Sequence, residues 1–176
     1  RSSPRSAVRS PGLLLRHAIR CLDPLEVGIL ADSALHEGLL DQDAVAALAA
    51  TAPRGVRRVL ERASGTAESG TESKVRLFLL LHNVSVTPQV QIPGVGRVDN
   101  LAGRRWIIEC DSREHHTGKD TYAKDRARDL RALELGYFTT RLTHAMVFAG
   151  WSRTSATLVQ VIRSGRHLDP PDRWAL

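Results

Sequence analysis

Apolar residues recur at helical spacing through the first part of the chain and at alternate positions through its middle, and this change of period divides it in two. Leu13 to Cys21 has the pattern of an apolar helix. Asp23-Pro24 supplies an N-cap with proline at the first helical position, and Leu25, Ile29, Ala31, Ala34 and Leu35 carry the next helix to about Glu37, where Gly38 stops it. Asp41 caps a third helix over 43–50, and a fourth follows Pro53 over 54–62. Residues 63–71 are small and polar and predict a linker. Ser69 and Glu72 then have capping-box spacing at the start of a helix that reaches about His82, with Val75, Phe78 and Leu79 on one face. From Val86 the period becomes two. Strands are expected over 86–92, 96–101 and 105–111, a long charged helix over 119–135 closed by Gly136, a strand over 137–143 and a helix over 144–163. Residues 1–10 are polar and basic and are expected to be disordered; 164–176, with Pro170-Pro171, should be irregular. The order helix, three strands, helix, strand, helix predicts an α/β domain over 72–163 with a mixed sheet, preceded by a small all-helical region over 11–62.

The residues with unusual chemistry sit on the middle strands. Trp106-Ile107-Ile108-Glu109-Cys110-Asp111 is an apolar strand that ends in two carboxylates. Alternation puts Ile107, Glu109 and Asp111 on one face and Trp106, Ile108 and Cys110 on the other. The preceding strand carries Asp99. Its face depends on the turn. A two-residue turn at Ala102-Gly103 pairs Asp99 with Trp106, away from Glu109, whereas a three-residue loop, Ala102-Gly103-Arg104, pairs it with Ile107 and gathers Asp99, Glu109 and Asp111 on one face. Gly103 can supply the positive φ that such a loop needs. Carboxylates beside apolar strand cores are costly unless their charge is compensated, and Mg²⁺, a hard cation that takes oxygen ligands, would compensate it. Taken singly, Asp99 and Asp111 are ordinary surface carboxylates at strand ends. Together with Glu109 and the following Glu114-His115-His116 they make a candidate metal site in which a histidine serves as acid, base or outer-sphere ligand.

Charge sharpens this picture. The chain of 176 residues has a net charge of +6, which favours a polyanionic partner. Lys124, Arg128 and Arg131 fall at i, i+4 and i+7, a stripe able to follow a phosphate backbone. Asp120, Asp125 and Asp129 offer the same side chains intrahelical partners, so a solvated charged face is an equal reading. Aromatic content of 5% argues against a base-stacking single-strand binder. No apolar run is long enough to predict a membrane span, and the basic start is not followed by a signal-peptide core. The chain does not open on Met, as for a trimmed chain or a piece of a longer protein. Cys21 and Cys110 are too few for a disulfide framework or zinc cage and are expected to be packing residues in a reducing, cytoplasmic compartment.

The segments ESKVR at 72–76, RVD at 97–99, IIECDSREHH at 107–116 and KDRARD at 124–129 together resemble the domain of unknown function 559, a family related to very-short-patch-repair endonucleases within the PD-(D/E)XK nuclease superfamily. The resemblance covers roughly residues 68–145. It implies an αβββαβ restriction-endonuclease-like core and an acidic Mg²⁺ site, with Mn²⁺ able to substitute. Position by position, it makes Asp99 and Glu109 metal-site residues and puts Asp111 where many superfamily members have the catalytic lysine. It gives His116, or else His115, the histidine role and brings Glu72 into the site from its helix. Asp125 and Arg128 match the charged helix. Ser112 stands where the family has glycine, and Asn100 where an apolar residue is common. The helices at 13–62 resemble the remnant of an abortive-infection antitoxin-like DNA-binding region, without a complete helix-turn-helix.

The leading expectation is therefore a metal-dependent DNA endonuclease or nickase. Asp99, Glu109 and Asp111 would be its metal ligands, Glu72 and His116 further catalytic residues, and Lys124, Arg128, Arg131 and His115 its contacts to DNA. The alternatives are a non-catalytic DNA-binding or antitoxin-like regulator that retains the nuclease fold, and a partner-binding domain whose carboxylates make salt bridges.

Overall fold

The computed structural model describes residues 10–111 and 119–171; the side chains of Asp111 and of residues 119–123 are not among those described. The chain forms two compact units that meet between Gly65 and Thr66.

The first unit holds α1 (Pro11–Cys21), α2 (Pro24–His36), α3 (Gln42–Thr51) and α4 (Arg54–Leu60). Its helix starts are set by side-chain caps. Ser10 accepts from the Leu13 N–H, Asp41 from the Ala44 N–H, and Asp23 forms a complete capping box with Glu26. Leu15, Val27, Ala31, Val45, Leu48, Val56 and Leu60 fill the core between the helices. Asp32, fully buried on α2, accepts the Ser64 and Gly65 N–H groups, so the first residues of the expected linker are bonded to this unit. A buried carboxylate of this kind is tolerable because backbone donors satisfy it.

The second unit holds α5 (Gly70–Leu81), β1 (Val86–Ile92), β2 (Gly96–Ala102), β3 (Trp106–Asp111), α6 (Lys119–Glu134), β4 (Phe138–Thr143), α7 (His144–Val147) and α8 (Trp151–Ser164). The strands lie in the order β1-β2-β3-β4. Both β1–β2 and β2–β3 are antiparallel, and β3–β4 is parallel with α6 as the crossover, so this is an α/β unit with a mixed sheet. Ile92, Val95, Val98 and Ile107 pack with Ala132 of α6 and with Leu135 just after it. Trp106 stacks on Phe138 of β4 and donates its indole N–H to Thr140. The apolar spacing predicts a single buried face for α5, yet residues 71–79 are all buried. Helix α5 is enclosed, and its polar residues Glu72, Lys74 and Arg76 are buried with it.

The structure differs from expectation at three places. The β2–β3 loop is Gly103-Arg104-Arg105, with Ala102 opposite Trp106 and Asn100 opposite Ile108, so the register is displaced by two residues from the expected Asp99–Ile107 pairing. The helix expected over 144–163 is broken into α7 and α8 across Phe148-Ala149-Gly150. Of the tail expected to be irregular, the described residues 165–171 lie outside helix and strand and are docked. Arg104 N–H donates to the His167 carbonyl at 2.7 Å, and Arg105 reaches the Arg166 carbonyl and the Asp169 carboxylate. Among the described residues no helix is long and apolar enough to cross a membrane.

Candidate active site

Strands β2 and β3 stop pairing through their backbones at Asn100 and Ile108. The next rung would join Asp99 to Glu109, and side chains make it instead. The Asp99 N–H donates to Glu109 Oε2 at 3.2 Å, and the Cys110 N–H donates to Asp99 Oδ2 at 2.7 Å. The two carboxylates thus close the open end of the ladder. Each satisfies a backbone donor that the diverging strands would otherwise leave unmet. The two-residue displacement preserves parity, so Asp99 and Glu109 share a face.

The basic helix supplies the countercharge. Arg128 of α6 donates to Glu109 Oε1 at 2.8 Å, and the same guanidinium reaches the Val95 carbonyl of the β1–β2 turn and the Arg97 carbonyl of β2. Arg141, beside Glu109 on β4, pairs with Asp129 of α6 at 2.7 Å. Even so, burial pushes the Glu109 carboxyl above its ordinary pKa. The Asp99 charge adds to this, and Arg128 opposes it.

Glu72 enters from α5. Ser69 caps the helix by accepting the Glu72 N–H, as the sequence predicts, but the return bond differs from a capping box. Glu72 Oε1 accepts from the Ser69 hydroxyl at 2.8 Å, while Oε2 accepts from the Glu68 N–H at 3.0 Å and from Gln89 Nε2 at 2.8 Å. Burial raises its pKa, its hydrogen bonds partly offset this, and Asp99 repels its charged form. The Asp99 charge therefore acts on both Glu109 and Glu72.

The donor set suits a divalent cation. Mg²⁺ keeps several waters and needs only one or two carboxylates, and Asp99 and Glu109 bring two carboxylates together where β2 and β3 part. Among the described residues no three histidine, cysteine, aspartate or glutamate side chains form a ready ligand cluster. Asp111 is described only by its backbone, opposite Thr143. The candidate residues His115 and His116, with Ser112 and Glu114, lie outside the described residues.

The basic stripe is divided. Lys124 is exposed; Arg128 is half-buried in the site; Arg131 is exposed, pairs with Glu134 at 2.8 Å and lies against Gly94. Arg128 is thus a partner of Glu109 rather than one cation in a uniform solvated row. Sequence reasoning missed Gln89 and Arg141. Both are joined to the site only by strand register and tertiary packing, for which the local pattern carries no signal. No protein-family model, curated protein or solved structure matches the chain.

The Glu72 geometry yields a prediction. A glutamine can direct its carbonyl to Glu68 and Gln89 and its amide to the Ser69 hydroxyl, so Glu72→Gln keeps every bond while removing the charge. A carboxyl whose pKa is raised on folding takes up a proton in the folded state, so its contribution to stability is fully present below the unfolded pKa and is lost as pH rises through the folded value. Thermal melts from pH 4 to pH 8 should therefore show Glu72→Gln gaining on the wild type as pH rises above about 4.5. A constant difference between the two curves would mean that Glu72 is not strained in its ionised form.

Proposed function

We propose that the second unit is a metal-dependent DNA endonuclease or nickase of the PD-(D/E)XK type, related to the domain of unknown function 559. The observation that carries this reading is the meeting of Asp99 and Glu109 where β2 and β3 part, with the Asp99 charge near enough to disfavour ionised Glu72. The αβββαβ element order and the mixed sheet support it.

Asp99 and Glu109 would hold Mg²⁺ or Mn²⁺, with Asp111 as a further ligand. The bound cation would polarise a phosphodiester oxygen and acidify a water. Glu72, its carboxyl raised in pKa and fixed by three donors, is suited to accept a proton from that water. Arg128 sets a positive charge beside Glu109, where the phosphate in transit gains negative charge. Lys124 and Arg131 would grip the DNA backbone, and His116 or His115 would protonate the leaving oxygen.

A second reading is favoured by one observation: Arg128 already neutralises Glu109. This fits a DNA-binding regulator that keeps the fold without the reaction. Supercoiled plasmid incubated with the protein and Mg²⁺ or Mn²⁺, beside an EDTA control, separates the two. Nicked or linear product that disappears with EDTA supports the nuclease. A cation-independent gel shift with intact plasmid supports the regulator.

A further inference from the structure

Gln89 is the one residue of β1 whose backbone leaves the strand. Its φ is +50°, in the left-handed region that β-strands do not use and that glutamine rarely adopts. The β1–β2 ladder has rungs at Pro88–Asn100 and Val90–Val98, and the missing rung between them is Gln89–Asp99. The strand therefore gives up a backbone pair, and accepts a strained residue, opposite the carboxylate that links β2 to β3. A local conformation of this cost persists only where its surroundings hold it, and such conformations concentrate at functional sites.

The side chain shows what this conformation achieves. Nε2 donates to Glu72 Oε2 at 2.8 Å, which fixes the orientation of the amide, because a carboxylate can only accept. Oε1 is then buried with no hydrogen-bond partner. An unmet buried carbonyl oxygen bears the full cost of its desolvation, so packing alone is a poor reason to keep it. It is a hard, neutral oxygen, of the kind that accepts a hydrogen bond from a water ligand of Mg²⁺ or Mn²⁺ without adding to the charge of Asp99, Glu109 and Glu72.

We propose that Gln89 is a positioning residue of the carboxylate site, fixing Glu72 through Nε2 and offering Oε1 to the hydration shell of a divalent cation held at Asp99 and Glu109. The inference rests on the function proposed above and gives β1 a part in a site otherwise built from α5, β2, β3, β4 and α6.

The test is Mn²⁺ binding by the full chain, read from the loss of the free-ion electron paramagnetic resonance signal, in wild type, Gln89→Gly, Glu72→Gln and the double variant. Glycine adopts the left-handed conformation without strain, so Gln89→Gly removes the side chain and leaves the strand path intact. Its melting temperature without metal should stay within about 5 °C of wild type. Its Mn²⁺ affinity should fall about tenfold, as for the loss of a group that orients metal ligands. The double variant should bind no more weakly than the weaker single variant, since Gln89 acts partly through Glu72. Wild-type affinity in Gln89→Gly, whatever its melting temperature, overturns the proposal. If Gln89→Gly does not fold, Gln89→Asn, which tolerates the backbone and is one methylene too short to bridge, is judged by the same criterion. Absence of Mn²⁺ binding by the wild type overturns the metal reading of the site and this inference with it. Binding by the wild type with an unaffected glycine variant removes Gln89 alone.

Discussion

Glu109→Ala is expected to lower cation-dependent plasmid cleavage by about a thousandfold or more, roughly 4 kcal/mol in the barrier. Asp99→Asn should do nearly the same. Glu109 is the residue on which the other charged groups converge: Asp99 through its N–H, Arg128 through its guanidinium, and Arg141 by proximity on β4. Alanine there removes a carboxylate proposed to hold the cation and leaves Arg128 still bonded to the Val95 and Arg97 carbonyls. It also removes a carboxylate that burial and Asp99 already disfavour. The loss of the ion pair is partly screened because the Arg128 side chain is 28% exposed. Stability should therefore change by no more than about 2 kcal/mol while activity collapses. For Asp99 the asparagine variant is the informative one. It keeps an oxygen for the Cys110 N–H, which alanine would leave unmet at about 1–3 kcal/mol. Nicking assays and melting curves on the same preparations separate the two effects. Full activity in either variant would remove the pair from the site.

The period of the sequence made most of this architecture legible, and the same period hid one detail of it. A strand alternates every two residues, so moving β2 by two positions against β3 leaves every side chain on its face. The pattern leaves an even and an odd loop around Gly103 open; only the metal hypothesis requires the odd loop and a common face for Asp99 and Glu109, and it cannot distinguish Asp99 opposite Ile107 from Asp99 opposite Glu109. The basic stripe is a similar case. On a helical wheel Lys124, Arg128 and Arg131 are equivalent; Arg128 is made different by the Val95 carbonyl of the β1–β2 turn, the Arg97 carbonyl of β2 and the Glu109 carboxylate of β3. Gln89 escaped notice because the apolar alternation of 86–92 continues past it, and only the backbone shows that the strand is interrupted there. The tail escaped because it is held largely through carbonyls, which every residue has. Asn100, buried with both amide atoms unmet, departs from the apolar residue common at that place in the family the chain resembles, and nothing in the structure explains it.

The largest effect on stability is expected at Gly103, and Gly165 provides its control. Both glycines have positive φ, +61° and +72°. Alanine at either position carries the left-handed penalty of about 1–2 kcal/mol. At Gly165 a Cβ meets nothing within 4 Å, so the penalty should stand alone. At Gly103 the Cβ would lie 2.3 Å from the His167 carbonyl oxygen and 2.9 Å from its Cδ2. That carbonyl cannot simply retreat, because it accepts the Arg104 N–H at 2.7 Å, and its neighbours hold Arg105 through the Arg166 carbonyl and Asp169. His167 is itself buried beside Trp106. Either the β2–β3 loop shifts, carrying the Asp99–Glu109 register with it, or the 166–169 segment lifts off and exposes the Trp106 side of the sheet. Gly103→Ala should therefore cost about 4 kcal/mol, against about 1 kcal/mol for Gly165→Ala. In a domain of this size the difference corresponds to roughly 10 °C in melting temperature. Deleting the chain from Arg166 onward should remove the clash at Gly103, so in that background Gly103→Ala should cost no more than Gly165→Ala does in the full chain. Equal costs for the two substitutions in the full chain would show that the tail does not clamp the hairpin.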